Sequence, residues 1–215
     1  MKSVAFFRDR IDAGEKLATL LSQYKDKNVV IYALPRGGVA PGAEIAKRLN
    51  APLDLIITRK IGHPYSPEYA VGAVAENGHA VLTDKEIVDI GSNWFKEETE
   101  RQKLEAKRRR ELYLKGRKPI SCNGKIAILV DDGVATGLTI MAAVKELNLH
   151  YQPKKIIIAV PVIPVEIAGK LGTKETEVVS IITDADFLGS VGSYYQDFPT
   201  VSDSEVINIM NKFRQ

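Results

Sequence analysis

Two adjacent carboxylates, Asp131 and Asp132, stand at the end of the apolar run Lys125–Val130 (KIAILV). Gly133, Val134, Ala135, Thr136, Gly137, Leu138 and Thr139 follow, and then a helical pattern. A short apolar run rich in β-branched residues reads as a buried strand. In open α/β sheets, ligands lie beyond the carboxyl ends of such strands. A helix N-terminus offers free N–H groups and the positive end of its dipole, which together hold a phosphate. Gly133 and Gly137 let the backbone come close, and Thr136 and Thr139 add hydroxyl donors. Two carboxylates would repel a phosphate. They fit if they bind hydroxyls or a hydrated Mg²⁺ instead. A sugar that carries both hydroxyls and a phosphate satisfies the two halves. The plain alternative is a strand–helix turn with no ligand. No Lys follows Gly137 and no Gly-x-Gly-x-x-Gly occurs, so neither a Walker loop nor a dinucleotide fingerprint is present.

A second turn, Leu34-Pro35-Arg36-Gly37-Gly38, follows the apolar run Asn28–Leu34 and opens a helix. Gly37 and Gly38 expose N–H groups, and Arg36 can fork onto phosphate oxygens. Arg59-Lys60 ends the run Leu53–Thr58, and Ile61–Tyr69 reads as a Pro-rich, polar lid. His63 is balanced between a site role and simple exposure, and Glu68 between a site role and a structural one. Arg8 and Arg10 are balanced between the site and a surface Arg–Asp pair. Cys122, the only cysteine, has no activating neighbour in sequence. It allows no intramolecular disulfide, which points to a reducing compartment.

These turns need a scaffold that brings strand ends together. Strand patterns at 28–34, 53–58, 125–130, 155–160 and 177–182 alternate with helical ones at 11–24, 39–49, 138–147 and 165–171. That alternation predicts a doubly wound, largely parallel five-stranded α/β sheet in one domain spanning 1–215. A small hood is expected as well, together with an insertion at about 70–118. The insertion comprises a hairpin turning at Asn77-Gly78, a helix over Lys85–Ile90 capped by Asp84, and a charged helix over Trp94–Leu114. Lys96–Lys118 holds ten basic and five acidic residues. Glu97/Arg101 and Glu105/Arg109 sit at helical spacing, so a solvated, ion-paired face is expected. The cluster Lys107–Arg110 keeps a nucleic-acid surface in view, although it lacks interleaved aromatics. Ser202 and Glu205 form a capping box for a last helix. A net charge of +3 and a 45% hydrophobic share suit a globular protein that binds a small anion. No signal-peptide pattern and no membrane-length apolar run occur, so a cytoplasmic location is expected.

The acidic pair, short Gly/Ala/Thr turn and hydroxyl residue resemble the ribose-phosphate motif of type I phosphoribosyltransferases. Leu138 and Gly133 depart mildly from the usual pattern. The stretches Phe7–Gly14, Leu34–Gly38, Arg59–Gly62 and Tyr194–Phe198 are similar to a bacterial and archaeal branch of that family. The resemblance implies transfer of ribose 5-phosphate from phosphoribosyl pyrophosphate (PRPP) to a nucleobase-like nitrogen, with Mg²⁺ and release of pyrophosphate. Asp131 and Asp132 would face the ribose hydroxyls, and would meet the metal only through PRPP and water. Gly133 to Thr139 would hold the 5′-phosphate. Pro35, Arg36, Gly37, Gly38, Arg59 and Lys60 would hold pyrophosphate, with an unusual or cis bond expected at Arg36–Gly37. The rings Phe187, Tyr194, Tyr195 and Phe198 either pack the last helix onto the sheet or supply one ring, Phe187 before the others, that flanks the acceptor. The expected partners are PRPP, pyrophosphate and the acceptor, with a homodimer left open and no need for a membrane or nucleic acid. The rivals are a PRPP-sensing regulator that touches nucleic acid through the basic cluster, and a sugar-phosphate hydrolase.

Overall fold

The computed structural model describes residues 6–83 and 90–213. The core is a five-stranded parallel sheet in the order β2-β1-β6-β7-β8, formed by β1 (Val29–Ala33), β2 (Leu53–Leu55), β6 (Ile126–Val130), β7 (Lys155–Pro164) and β8 (Thr176–Asp184). Successive residues of the central strands serve opposite faces, as the pleat demands. Ile31, Ala33, Ile128, Val130 and Ile157 join a core beneath α1 (Arg10–Leu20), α2 (Val39–Leu49) and α6 (Asp203–Asn211). Val30, Tyr32, Leu129 and Ile158 join another beneath α4 (Leu138–Glu146) and the π-turn Leu147–Tyr151. α5 (Val165–Leu171) links β7 to β8. The winding reverses between β1 and β6, which pair in register from Val29↔Ile126 to Ala33↔Val130. Such a switch point opens a crevice at the carboxyl ends of the strands.

The expected insertion is part of the hood, which begins at Thr58. Its antiparallel sheet is β3 (Thr58–His63), β4 (Ser66–Ala75) and β5 (Ala80–Leu82). The expected strand Leu53–Thr58 is therefore two elements. Ile56 N–H still donates to the Ala33 carbonyl, whereas the Ile57 carbonyl accepts from Glu76 N–H. The apolar run thus crosses from one sheet to the other, and Arg59 and Lys60 belong to the hood rather than to a core strand. The expected lid is the β3–β4 hairpin, turning at Pro64–Tyr65. The Asn77-Gly78 hairpin forms as read, with Gly78 at φ 93°. Ala73 packs on Leu138 and Ala142, seating the hood on α4. The helix expected over Lys85–Ile90 with Asp84 as its cap lies outside the described residues, apart from Ile90.

The charged helix, α3 (Ser92–Leu114), is more than a solvated face. Phe95 packs under the hood with Ile61 and Val74, and Tyr113 and Leu114 join the main core. Arg110 is half-buried and holds the buried Asp54 and Glu76 at 3.3 and 2.9 Å. Glu105 pairs with Arg109 as spaced, but Arg101 bonds Glu98 rather than Glu97. Glu98 lies on the inner face, where it also accepts from Gln102. The Ser202/Glu205 capping box is present at the start of α6.

Candidate active site

A cleft of about 840 Å³ opens between the carboxyl ends of β1 and β6 and the hood. Pro35, Arg59, Lys60, Asp131, Asp132, Gly133, Val134, Ala135, Thr136, Gly137 and Thr139 line it. The three expected segments therefore meet at one place, although they lie far apart along the chain.

The acidic turn is fixed by its surroundings. Asp132 N–H donates to Asp131 Oδ1 at 2.9 Å, and Val134 N–H ties the turn to the Val162 carbonyl at 2.9 Å. Gly133 has φ 153°, and a Cβ there would meet Val191 at 2.4 Å, so a side chain at this place would have to displace Val191. Gly137 has φ 78° and precedes α4, which starts without a side-chain cap. The first N–H groups of Leu138, Thr139 and Ile140 therefore have no capping partner, the condition that suits a phosphate. The Leu138 side chain points into the hood core, so only its backbone faces this role.

Burial, and then the neighbouring Asp132, raise the Asp131 carboxyl well above the ordinary range, while Lys60 pulls it back. Burial also raises Asp132, against the pull of Arg10. Adjacent shielded carboxylates resist joint ionisation and so favour a cation or donor hydroxyls nearby. The pair therefore fits a hydrated Mg²⁺ carried by a ligand. Among the described residues, no three His, Cys, Asp or Glu side chains form a metal cage.

In the β1–α2 turn, Gly38 N–H closes onto the Leu34 carbonyl at 3.0 Å. The cis peptide bond of this turn lies between Pro35 and Arg36, one residue before the expected Arg36–Gly37. Gly37 is instead pressed against the Asp132 side chain, and Gly38 against the end of β6. A Cβ on Gly38 would sit 2.6 Å from the Val130 carbonyl. The Arg36 side chain lies outside the cleft lining, with its Nη1 3.6 Å from Asp203 at the start of α6.

Across the cleft, Arg59 Nε donates to Gln102 at 3.0 Å, and Gln102 donates to Glu98 at 2.7 Å. Burial, and then Arg109, lower the Arg59 guanidinium from its ordinary value. Arg109, Trp94 and Arg101 of α3 line the cleft together with Glu98 and Gln102. Sequence reasoning missed all five. Their common inner face was the available signal. His63, Pro64, Pro67 and Glu68 of the hairpin also line the cleft, which places His63 and Glu68 at the site.

Arg10 and Arg8 separate cleanly. Arg10 Nε bonds Asp132 at 2.7 Å, whereas the Arg8 side chain is 70% exposed beside Asp12. Phe198 lines the cleft and Phe187 does not. Phe187 stacks on Tyr194, with centroids 5.5 Å apart. Cys122 is buried, and burial raises its thiol, so it is no nucleophile.

The phosphoribosyl transferase domain model matches residues 8–196, and the chain belongs to that family. A Mycobacterium tuberculosis protein, provisionally named a phosphoribosyl transferase in strains CDC 1551 and H37Rv, is 40% identical over 208 residues. The match covers 96% of this chain and 46% of the relative, so this chain spans about half the length of those curated relatives. The TT1426 crystal structure from Thermus thermophilus superposes with a TM-score of 0.80 at 37% identity, covering 97% of this chain and 99% of that one. A hypothetical protein from Neisseria gonorrhoeae, solved with bound ppGpp, shares the fold with a TM-score of 0.51 at 16% identity, covering 100% and 99%. Among the described residues, no helix is long and apolar enough to cross a membrane.

Proposed function

We propose that this chain is a Mg²⁺-dependent phosphoribosyltransferase that moves ribose 5-phosphate from PRPP to a nucleobase-like nitrogen and releases pyrophosphate. The observation that carries this reading is the Asp131–Asp132 pair beside the uncapped start of α4, with Arg59 and Lys60 lining the same cleft. The 5′-phosphate rests on the turn from Gly133 to Thr139. The ribose hydroxyls donate to the two carboxylates. Pyrophosphate rests on the Pro35–Gly38 turn, Arg59 and Lys60, and Arg36 swings from Asp203 to join it.

The bond from the anomeric carbon to the pyrophosphate oxygen breaks, and its electron pair leaves with pyrophosphate. The acceptor nitrogen supplies the pair for the new C–N bond and afterwards loses its proton to water. Carboxylates beside the ribose favour the positive charge that develops on the ring. Arg59 and Lys60 favour the charge that collects on the leaving group. Mg²⁺, when bound, supplies further neutralisation of the pyrophosphate. The rest is positioning in a shielded cleft. The hood and α3 form the wall left for the acceptor.

The sensing rival would use the basic cluster, where Arg108 and Arg109 share Glu105 and Arg110 holds Asp54 and Glu76. Incubation with PRPP, Mg²⁺ and a panel of nucleobases tests the reading. Pyrophosphate release with formation of one ribosylated base is expected. PRPP binding with no transfer to any base would favour the sensor.

A further inference from the structure

Asp132 is gripped by the start of α1 and by the segment that precedes α6. Arg10 Nε donates to its Oδ2 at 2.7 Å, across 122 positions in sequence. Arg10 Nη1 donates to the Pro199 carbonyl at 2.7 Å, and the guanidinium carbon lies 3.7 Å from the Phe198 ring centroid. The Tyr195 hydroxyl donates to the Asp132 backbone carbonyl at 2.6 Å. Tyr195 also packs on Phe198 and Phe7, with centroids 4.7 and 5.1 Å apart. The Arg10 side chain is only 11% exposed. Its planar group thus meets a carbonyl, a ring and a carboxylate at once, a set that a surface ion pair does not require and that lysine cannot reproduce.

We propose that Arg10, seated on Phe198, and Tyr195 are positioning residues for Asp132, fixing its carboxylate so that Oδ1 is presented to the ribose of PRPP. The start of α1 and the segment 195–199 then form part of the PRPP site. A side chain ordered before the ligand arrives removes that ordering cost from binding. This inference rests on the PRPP reading given above.

The test measures PRPP affinity in the presence of Mg²⁺, from the rise in melting temperature with ligand concentration, which also registers weak binding. Arg10→Gln is expected to weaken PRPP about 10- to 100-fold, the scale of a misplaced contact group. Arg10→Lys should recover part of that loss, and Tyr195→Phe should cost less than Arg10→Gln. The decisive comparison repeats Arg10→Gln in an Asp132→Ala background. There it should change affinity by about twofold or less, because its partner is gone. An equal loss in both backgrounds overturns the proposal, as does an unchanged affinity in folded Arg10→Gln. If Arg10→Gln does not fold, Tyr195→Phe is placed in the same cycle, and an additive result overturns the proposal equally. Failure of the unsubstituted protein to bind PRPP overturns the functional reading itself and this inference with it.

Discussion

A Cβ added to Gly37 would sit 2.0 Å from Oδ2 of Asp132 and 2.4 Å from its Cγ. The β1–α2 turn and the acidic pair are therefore built as one surface, and Gly37 is required by contact rather than by left-handed backbone. Gly37→Ala should displace the Asp132 carboxylate and weaken PRPP binding about 10-fold or more, since misplacement of a contact group is costly. Calorimetric titration of the folded variant checks this. Unchanged affinity would mean that the carboxylate is free to move without loss.

Glu76 is 3% exposed, and burial pushes its carboxyl from 4.5 up to about 7, with Arg110 pulling back and Glu146 and Asp54 adding to the rise. The unfolded side chain releases its proton near 4.5 and the folded one near 7. Between these values the unfolded state holds fewer protons, so this group lowers stability as pH rises. The penalty is complete above pH 7 and amounts to about 3 kcal/mol at roughly 1.4 kcal/mol per pH unit. Glu76→Gln should therefore gain on the unsubstituted protein from pH 4.5 to 7. Urea unfolding at pH 5 and pH 8 measures the gap, and an equal gap at both contradicts the assignment.

Arg110 holds Asp54 and Glu76 and also donates to the Leu55 carbonyl at 2.9 Å. Arg110→Met leaves two buried carboxylates without their cation. Loss of one member of a buried ion pair costs about 3–5 kcal/mol. Chemical denaturation at pH 7.5 should show a loss of that order, and a loss under about 1 kcal/mol would show that water replaces the guanidinium.

Phe187 packs against Tyr194, whose hydroxyl donates to Asp184 and accepts from Leu188 N–H. Phe187→Leu should lower stability through the lost ring contact, worth about 0.5–1.5 kcal/mol beyond its area. PRPP affinity and acceptor use should stay unchanged. A selective loss of acceptor use with an unchanged melting temperature would return Phe187 to the site.

The parts of the site that were legible in the sequence are those built from contiguous residues. The run Ile126–Val130 is apolar because both faces of β6 are covered, and it must stop where two acids begin. That alone placed Asp131, Asp132 and the turn to Thr139. The switch at Ile56–Ile57 was illegible, because both residues are fully buried whether the chain continues one sheet or enters another. It misplaced Arg59 and Lys60 by one element. The inner face of α3 was hidden for a different reason. Glu98 and Gln102 look solvated until Arg59, 43 positions from Gln102, is brought against them. Arg10 and Phe198 likewise gain their meaning only when α1 and the segment before α6 close onto Asp132.

On the function proposed above, the cleft at the β1–β6 switch point binds PRPP through Asp131 and Asp132. Calorimetric titration of PRPP with Mg²⁺ into the unsubstituted chain and into an Asp131→Asn/Asp132→Asn double variant tests it most directly. Saturable one-site binding is expected in the first, with a loss of about 100-fold or more in the second, from two charge-assisted contacts at about 1.5–3 kcal/mol each. Equal affinity in a folded double variant, or no PRPP binding by the unsubstituted chain, would contradict the account.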